Sequence, residues 1–363
     1  MRTRTSLALT VALFCLHTST RWLASQSGTS EIEISSAERT AVIEGSIARL
    51  NDIYVFPETA KKMEASLRDR TAKGEYDSLV SAKRFAEKLT DDLREVSRDR
   101  HLGVMFFPEG ARERPEGEPL PEEIKAQLPM MQKLNFGFER VERMTGNVGL
   151  LDIRGFVPPA AGGETAAAAM TFLAHTDALI VDLRKNGGGE PAMIAYILTY
   201  LFDGLTHLND IYERKGEKTQ QWWTLSWVPG PRYGGTKPVY VLTSRRTFSG
   251  AEEFAYNLKN LKRATVIGET TGGGAHPSRP VKLTEHFAIE LPYARAINPI
   301  TGTNWEGTGV VPDVAKPAEE ALDAAYMMAL EQIVKTTDNP RQREQLRKIL
   351  EEKSAPKRES GSR

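Results

Sequence analysis

The sequence holds a single cysteine, Cys15, among its 363 residues. It lies in an N-terminal stretch, MRTRTS, then the apolar run Leu7 to Leu16, then small residues at Ala24 and Ser25, that has the layout of a secretory signal peptide spanning residues 1–25. The apolar run is about half the length that a membrane-spanning helix needs. Phe14 is too bulky for the position before a lipidated cysteine. With the segment removed, the chain would carry no thiol, which excludes disulfides, thiol catalysis and cysteine-based zinc sites and leaves oxygen nucleophiles as covalent catalysts. Export makes an extracytoplasmic location, periplasmic or secreted, the expectation.

An excess of either charge is also lacking. Lys plus Arg and Asp plus Glu both number 48, so no polyelectrolyte attraction draws the chain to nucleic acid. There is no H-E-x-x-H, no G-x-G-x-x-G and no Lys-Ser/Thr pair after a glycine loop, so neither a metal nor a nucleotide cofactor is expected. Hydrophobic residues at 40% and charged residues at 26% are those of an ordinary globular protein, so the bulk of the chain should fold.

What is present divides along the chain. Ile43, Ile47 and Leu50, then Ala60, Met63 and Leu67, then Phe85, Leu89 and Leu93 recur at helical spacing and predict a small all-α domain over residues 36–107. The stretch PEGARERPEGEPLP, beginning at Pro108, is dense in Pro, Gly and charge and opens a linker and connecting segment over 108–145. Beyond it the apolar runs VGLLDI, ALIVDL, PVYVLTS and ATVIGE read as strands covered on both faces, with PAMIAYILTYLF and AEEFAYNLKNLK as crossover helices. This is an α/β domain over 146–334, followed by a charged tail, 335–363, expected as one exposed helix.

Ser249 stands between the strand PVYVLTS and the helix AEEFAYNLKNLK, where helix amides and dipole favour negative charge on an acyl intermediate. Its neighbours permit a plainer role: Ser249 and Glu252 form S-x-x-E, a capping box. A catalytic serine would need a base, an orienting carboxylate and oxyanion donors elsewhere in the chain. The glycine loop Asn186 to Gly189, at the end of the strand ALIVDL, places bare amides where such a donor is needed.

Together DLRKNGGG, TSRRTFSGAEEFAYNLKNLKRATVIGETTGGGAHP and NPITGTNWEGTGVVPD resemble the C-terminal processing peptidase family, especially its tricorn-core and interphotoreceptor retinoid-binding-protein-like branch. The resemblance implies a ClpP/crotonase-like core with a mixed sheet and crossover helices, a serine-type peptidase activity, and peptide or protein substrates. Processing members place a lysine base twenty-five residues after the serine; here that position is Gly274. The tricorn-like branch instead implies His101, in SRDRHLGVMF, as base and Glu306, in NWEG, as its orienting carboxylate, with the Gly250 and Gly188 amides holding the oxyanion. His276, in GGGAHP, is an alternative base close to the missing lysine. His175, His207 and His286 carry no accompanying motif. No segment like the substrate-docking PDZ module of many processing peptidases lies between the helical and α/β parts. A different class, an apolar-ligand carrier of the retinoid-binding type, shares the fold and would need no triad.

Overall fold

The computed structural model describes residues 32–111 and 121–354; the expected signal peptide lies outside the described residues. Helices α1 (Ser36–Ile53), α2 (Pro57–Ala72) and α3 (Ala82–Ser97) come first, with Ser35 and Ser81 accepting from the Glu38 and Arg84 amides as N-caps. Their buried faces are the ones that the helical spacing marked, Ile43, Ile47, Leu50, Ala60, Met63, Leu67, Phe85, Leu89 and Leu93. A short strand β1 (Gly103–Phe106) follows, then α4 (Pro121–Lys133), β2 (Phe138–Met144), β3 (Val148–Ile153) and α5 (Pro159–Leu173). The stretch read as a linker and connecting segment therefore contains α4 and an edge strand of the main sheet.

The remaining elements are β4 (Ala178–Asp182), α6 (Pro191–Thr199), β5 (His207–Glu213), β6 (Lys218–Trp223), β7 (Val239–Thr243), α7 (Gly250–Asn260) and β8 (Thr265–Gly268). Then come β9 (Ser278–Lys282), β10 (Phe287–Pro292), β11 (Ala294–Ile297), β12 (Val314–Ala315), α8 (Ala321–Thr336) and α9 (Pro340–Ser354). The main sheet has the order β12-β8-β7-β4-β3-β2, parallel throughout except for the antiparallel pair of β2 with β3. Its central strands are apolar on both faces because helices cover both. Leu151, Val181 and Val241 face a core shared with α5, α6 and α7, while Leu150, Ile180 and Leu242 face a second core under α8 and α9. The charged tail helix α9 is not wholly exposed, since Leu346 is buried in that second core.

The N-terminal helices do not close their own core. Phe287, Ile289 and Leu291 of β10 are buried among them, and β10 pairs antiparallel with both β1 and β9. The helical region is thus completed by a three-stranded sheet, two of whose strands come from far along the chain. This holds the loop after α3, residues 98–102, against the carboxyl end of the main sheet, where β4 and β7 end. Among the described residues no helix is long and apolar enough to cross a membrane.

Candidate active site

The turn between β7 and α7 is fastened to the end of β4 from within. Ser244 Oγ donates to the Arg184 carbonyl at 2.6 Å, Thr247 Oγ1 to the Leu183 carbonyl at 2.9 Å, and the Phe248 amide to the Asn186 carbonyl at 3.2 Å. The next residue, Ser249, has φ 53° and ψ −123°. An ordinary capping serine sits in the relaxed β region. These dihedrals instead match the first central position of a type II′ turn, which glycine normally fills. A serine kept in strained backbone on a strand-to-helix turn is the arrangement of a nucleophile elbow. Capping alone gives no reason for the strain.

The glycine loop lies directly against this turn. A β-carbon on Gly188 would come within 2.8 Å of the Gly250 nitrogen and 2.9 Å of Ser249 Cβ, so only glycine fits. The Gly250 amide donates to no described residue and stays free for an oxyanion. The Gly188 amide, expected as the second oxyanion donor, meets Asn186 Oδ1 at 2.8 Å in this substrate-free arrangement. Asn186 is wholly buried and also donates to the Ile153 carbonyl at 3.1 Å, so it braces the loop.

His101 arrives from the loop after α3. Its ring lies over Phe248, the residue before Ser249, with centroids 4.7 Å apart. The Arg100 guanidinium covers the same phenyl ring at 5.3 Å and donates to the Gly272 carbonyl at 2.7 Å, which ties the incoming loop to the glycine segment 272–274. Burial drives the His101 pKa down to about 4, with Asp99 opposing, so the imidazole is neutral at neutral pH and keeps an unprotonated ring nitrogen. Among the described residues no hydrogen bond joins Ser249 Oγ to either His101 or His276. Bonds of this kind are often long in a site without substrate.

His276 is held differently. It is buried, and its Nδ1 lies 2.6 Å from Asp99 Oδ2 and 3.5 Å from Glu306 Oε2. Asp99 Oδ2 also accepts from Tyr54 Oη at 3.2 Å, and Asp99 Oδ1 from the His101 amide at 3.0 Å. Burial opposes the Asp99 charge, but the hydrogen bond and charge of His276 hold its carboxyl below the usual range. Asp99 is the site residue that sequence reasoning missed, although its place two residues before His101 was visible in SRDRHLG.

Glu306 Oε2 accepts from the Ala275 amide at 2.5 Å, and burial raises its pKa to about 7, with His276 opposing and Asp99 reinforcing the shift. Its other oxygen, Oε1, and His101 Nδ1 are both buried without a hydrogen-bond partner. Asp99, His101 and Glu306 present one donor atom each within 4.8 Å of one another. The predicted base and its predicted carboxylate are therefore neighbours, each with an unsatisfied atom. The same grouping has the composition to approach a cation, which the scattered sequence positions concealed. The remaining described histidines with partners serve the scaffold: His207 stacks on Trp223 at 4.5 Å, and His286 lies 3.2 Å from the Phe107 carbonyl.

Comparison with known proteins agrees with this architecture. Residues 147–316 match Peptidase family S41, and residues 29–139 match the N-terminal domain of Peptidase_S41 in eukaryotic IRBP. The chain belongs to peptidase family S41. Curated relatives include a chloroplastic carboxyl-terminal-processing peptidase of Arabidopsis thaliana, 28% identical over 152 residues that make up 39% of this chain and 27% of the relative. Another is the carboxy-terminal-processing protease of Bartonella bacilliformis, 27% identical over 40% of this chain and 32% of the relative. The chain thus spans about a third of the length of the curated relatives it matches. A putative peptidase from Parabacteroides merdae has the same fold, with TM-score 0.55 at 18% identity over 80% of this chain and 96% of its own. Mature CPAF in complex with lactacystin superposes with TM-score 0.52 at 13% identity over 80% of this chain and 98% of its own.

Proposed function

We propose that the protein is an extracytoplasmic serine peptidase that cleaves peptide bonds through an acyl-enzyme on Ser249, with His101 as general base and Glu306 orienting it. The observation that carries this reading is the strained backbone of Ser249, φ 53° and ψ −123°, beside the free Gly250 amide. His101 Nε2 removes the hydroxyl proton as Oγ forms a bond to the scissile carbonyl carbon, and the displaced carbonyl electrons come to rest on oxygen before the Gly250 amide. Collapse of that intermediate breaks the carbon–nitrogen bond, and His101 returns its proton to the departing amine. Water then repeats the attack to release the acyl group. As substrate binds, Glu306 Oε1 and His101 Nδ1–H, each without a partner beforehand, close on one another, which fixes the tautomer. His276, with Asp99, holds Glu306 and the His101 backbone in place. The N-terminal sequence of residues 1–25 supports export.

The test is covalent labelling with a fluorophosphonate probe. Wild-type protein labels on Ser249, Ser249→Ala does not, and a folded wild-type protein that resists labelling overturns the reading in favour of a non-catalytic carrier.

A further inference from the structure

The glutamate of the S-x-x-E pattern has more partners than a cap requires. Glu252 is completely buried, and four donors converge on its carboxylate. Oε2 accepts from the Ser249 amide at 2.8 Å and from the Gly274 amide at 2.8 Å; Oε1 accepts from the Gly273 amide at 2.7 Å and from Thr271 Oγ1 at 2.5 Å. Only the first of these belongs to a capping box.

The donors come from segments that carry each arm of the proposed triad. Ser249 is the nucleophile itself. Gly274 packs on His101: a β-carbon there would lie 2.6 Å from His101 Cε1. The segment 271–275 holds the loop bearing Glu306, since Ala275 donates to Glu306 Oε2 at 2.5 Å, Trp305 Nε1 to the Gly274 carbonyl at 2.7 Å and the Gly307 amide to the Gly273 carbonyl at 3.0 Å.

We propose that Glu252 is a positioning residue for catalysis: its carboxylate fixes the distance and angle between the Ser249 turn and the glycine segment against which His101 and Glu306 are set. The inference rests on the serine-peptidase reading. An acceptor is required at both oxygens, because three of the four partners are backbone N–H groups, which can only donate. Glutamine has the same shape but in either amide orientation sets an NH₂ against at least one backbone N–H donor, which pushes the nucleophile turn and the glycine segment apart. Displacements of about 1 Å at reacting groups slow chemistry by roughly 100-fold. The strain at Ser249 fits this role, because a residue in unfavourable dihedrals must be held by its surroundings.

The experiment measures fluorophosphonate inactivation kinetics of the full chain, separating kinact from KI. Glu252→Gln is expected to lower kinact by about 10- to 100-fold with KI within about threefold. Ala255→Gly, on the same helix but outside the site, serves as a control that weakens the helix while leaving kinact of the folded protein unchanged. If Glu252→Gln does not fold, Thr271→Val removes one of the four donors and is expected to slow labelling by at least about threefold. A folded Glu252→Gln labelling at the wild-type rate overturns the proposal, as does an unchanged Thr271→Val when the glutamine variant fails to fold. An unlabelled wild type overturns the peptidase reading itself.

Discussion

Gly274 and His101 occupy each other's space: a β-carbon on Gly274 would meet His101 Cε1 at 2.6 Å and Phe248 at 2.3 Å. Gly274 stands where the processing relatives implied by the sequence resemblance would place a lysine base. A side chain there and the imidazole of His101 exclude one another. Gly274→Lys is therefore expected to abolish fluorophosphonate labelling instead of restoring a Ser-Lys dyad. Gly274→Ala should cost about 1–3 kcal/mol in denaturant unfolding through overpacking. Efficient labelling of Gly274→Lys would show that the lysine position is open after all.

Two histidines compete for the role of base, and their partners separate them. His276 Nδ1 is engaged by Asp99 at 2.6 Å, whereas His101 Nδ1 has no hydrogen-bond partner, lies 4.0 Å from Asp99 Oδ1 and belongs to a residue grouped with Glu306 within 4.8 Å. His101→Ala should lower labelling at least about 1,000-fold, as loss of a triad base does. His276→Ala and Asp99→Asn should act through misplacement, with losses of about 10- to 100-fold and a lower melting temperature. If His276→Ala abolishes labelling of folded protein while His101→Ala does not, the base is His276.

The grouping of Asp99, His101 and Glu306 within 4.8 Å yields a separate check on the chemistry. On the triad reading these three are base, orienting carboxylate and supporting carboxylate, none of which needs a cation, so exhaustive chelation is expected to leave the labelling rate unchanged. A rate that falls on chelation and returns with added zinc would turn these residues into ligands.

The pH dependence follows from burial. His101 stays neutral down to about 4, while Glu306 and Glu252 have pKa values raised to about 7 by burial. The reaction needs the imidazole neutral and the carboxylates charged. Labelling should therefore rise as pH increases through about 7, an acid limb set by the carboxyl groups and not by the imidazole. Rates measured from pH 4 to 9 check this, and a limb centred near 4 would assign it to His101 instead.

The fold was readable because its signals are local. Runs such as VGLLDI and ALIVDL have no polar alternation, and their uninterrupted apolar character reflects helices on both faces of the sheet. By its own neighbours Ser249 suits a cap better than a nucleophile, and the distant segments with the glycine loop, His101 and Glu306 reverse that order; its strained dihedrals are a feature that a cap does not require. Asp99 was missed because its importance depends on His276, 177 residues away along the chain. The Asn186 side chain at Gly188 was hidden for a related reason: sequence places a bare amide at the loop, but not the group that takes its hydrogen bond. The share of β10 in the helical core was invisible because it joins segments that no local periodicity connects.

Glu253, next to Glu252 on α7, is buried without belonging to the site, and burial raises its pKa to about 7. Because its folded-state pKa lies above the unfolded value of about 4.3, the folded protein holds the proton more tightly. The associated stability is complete below the unfolded pKa and is lost as pH rises through about 7. Glu253→Gln keeps the shape and removes the charge. In urea unfolding the variant should lie close to wild type near pH 4.5 and exceed it by about 1–3 kcal/mol at pH 8, where the wild-type carboxylate must either ionise in a buried setting beside Asn209 or hold its proton against the solvent. Equal stability of the two proteins at both pH values would mean that the carboxyl group reaches water on ionising. A gain at pH 8 with unchanged labelling would place the effect in the core of α7, apart from the proposed roles of Ser249 and Glu252.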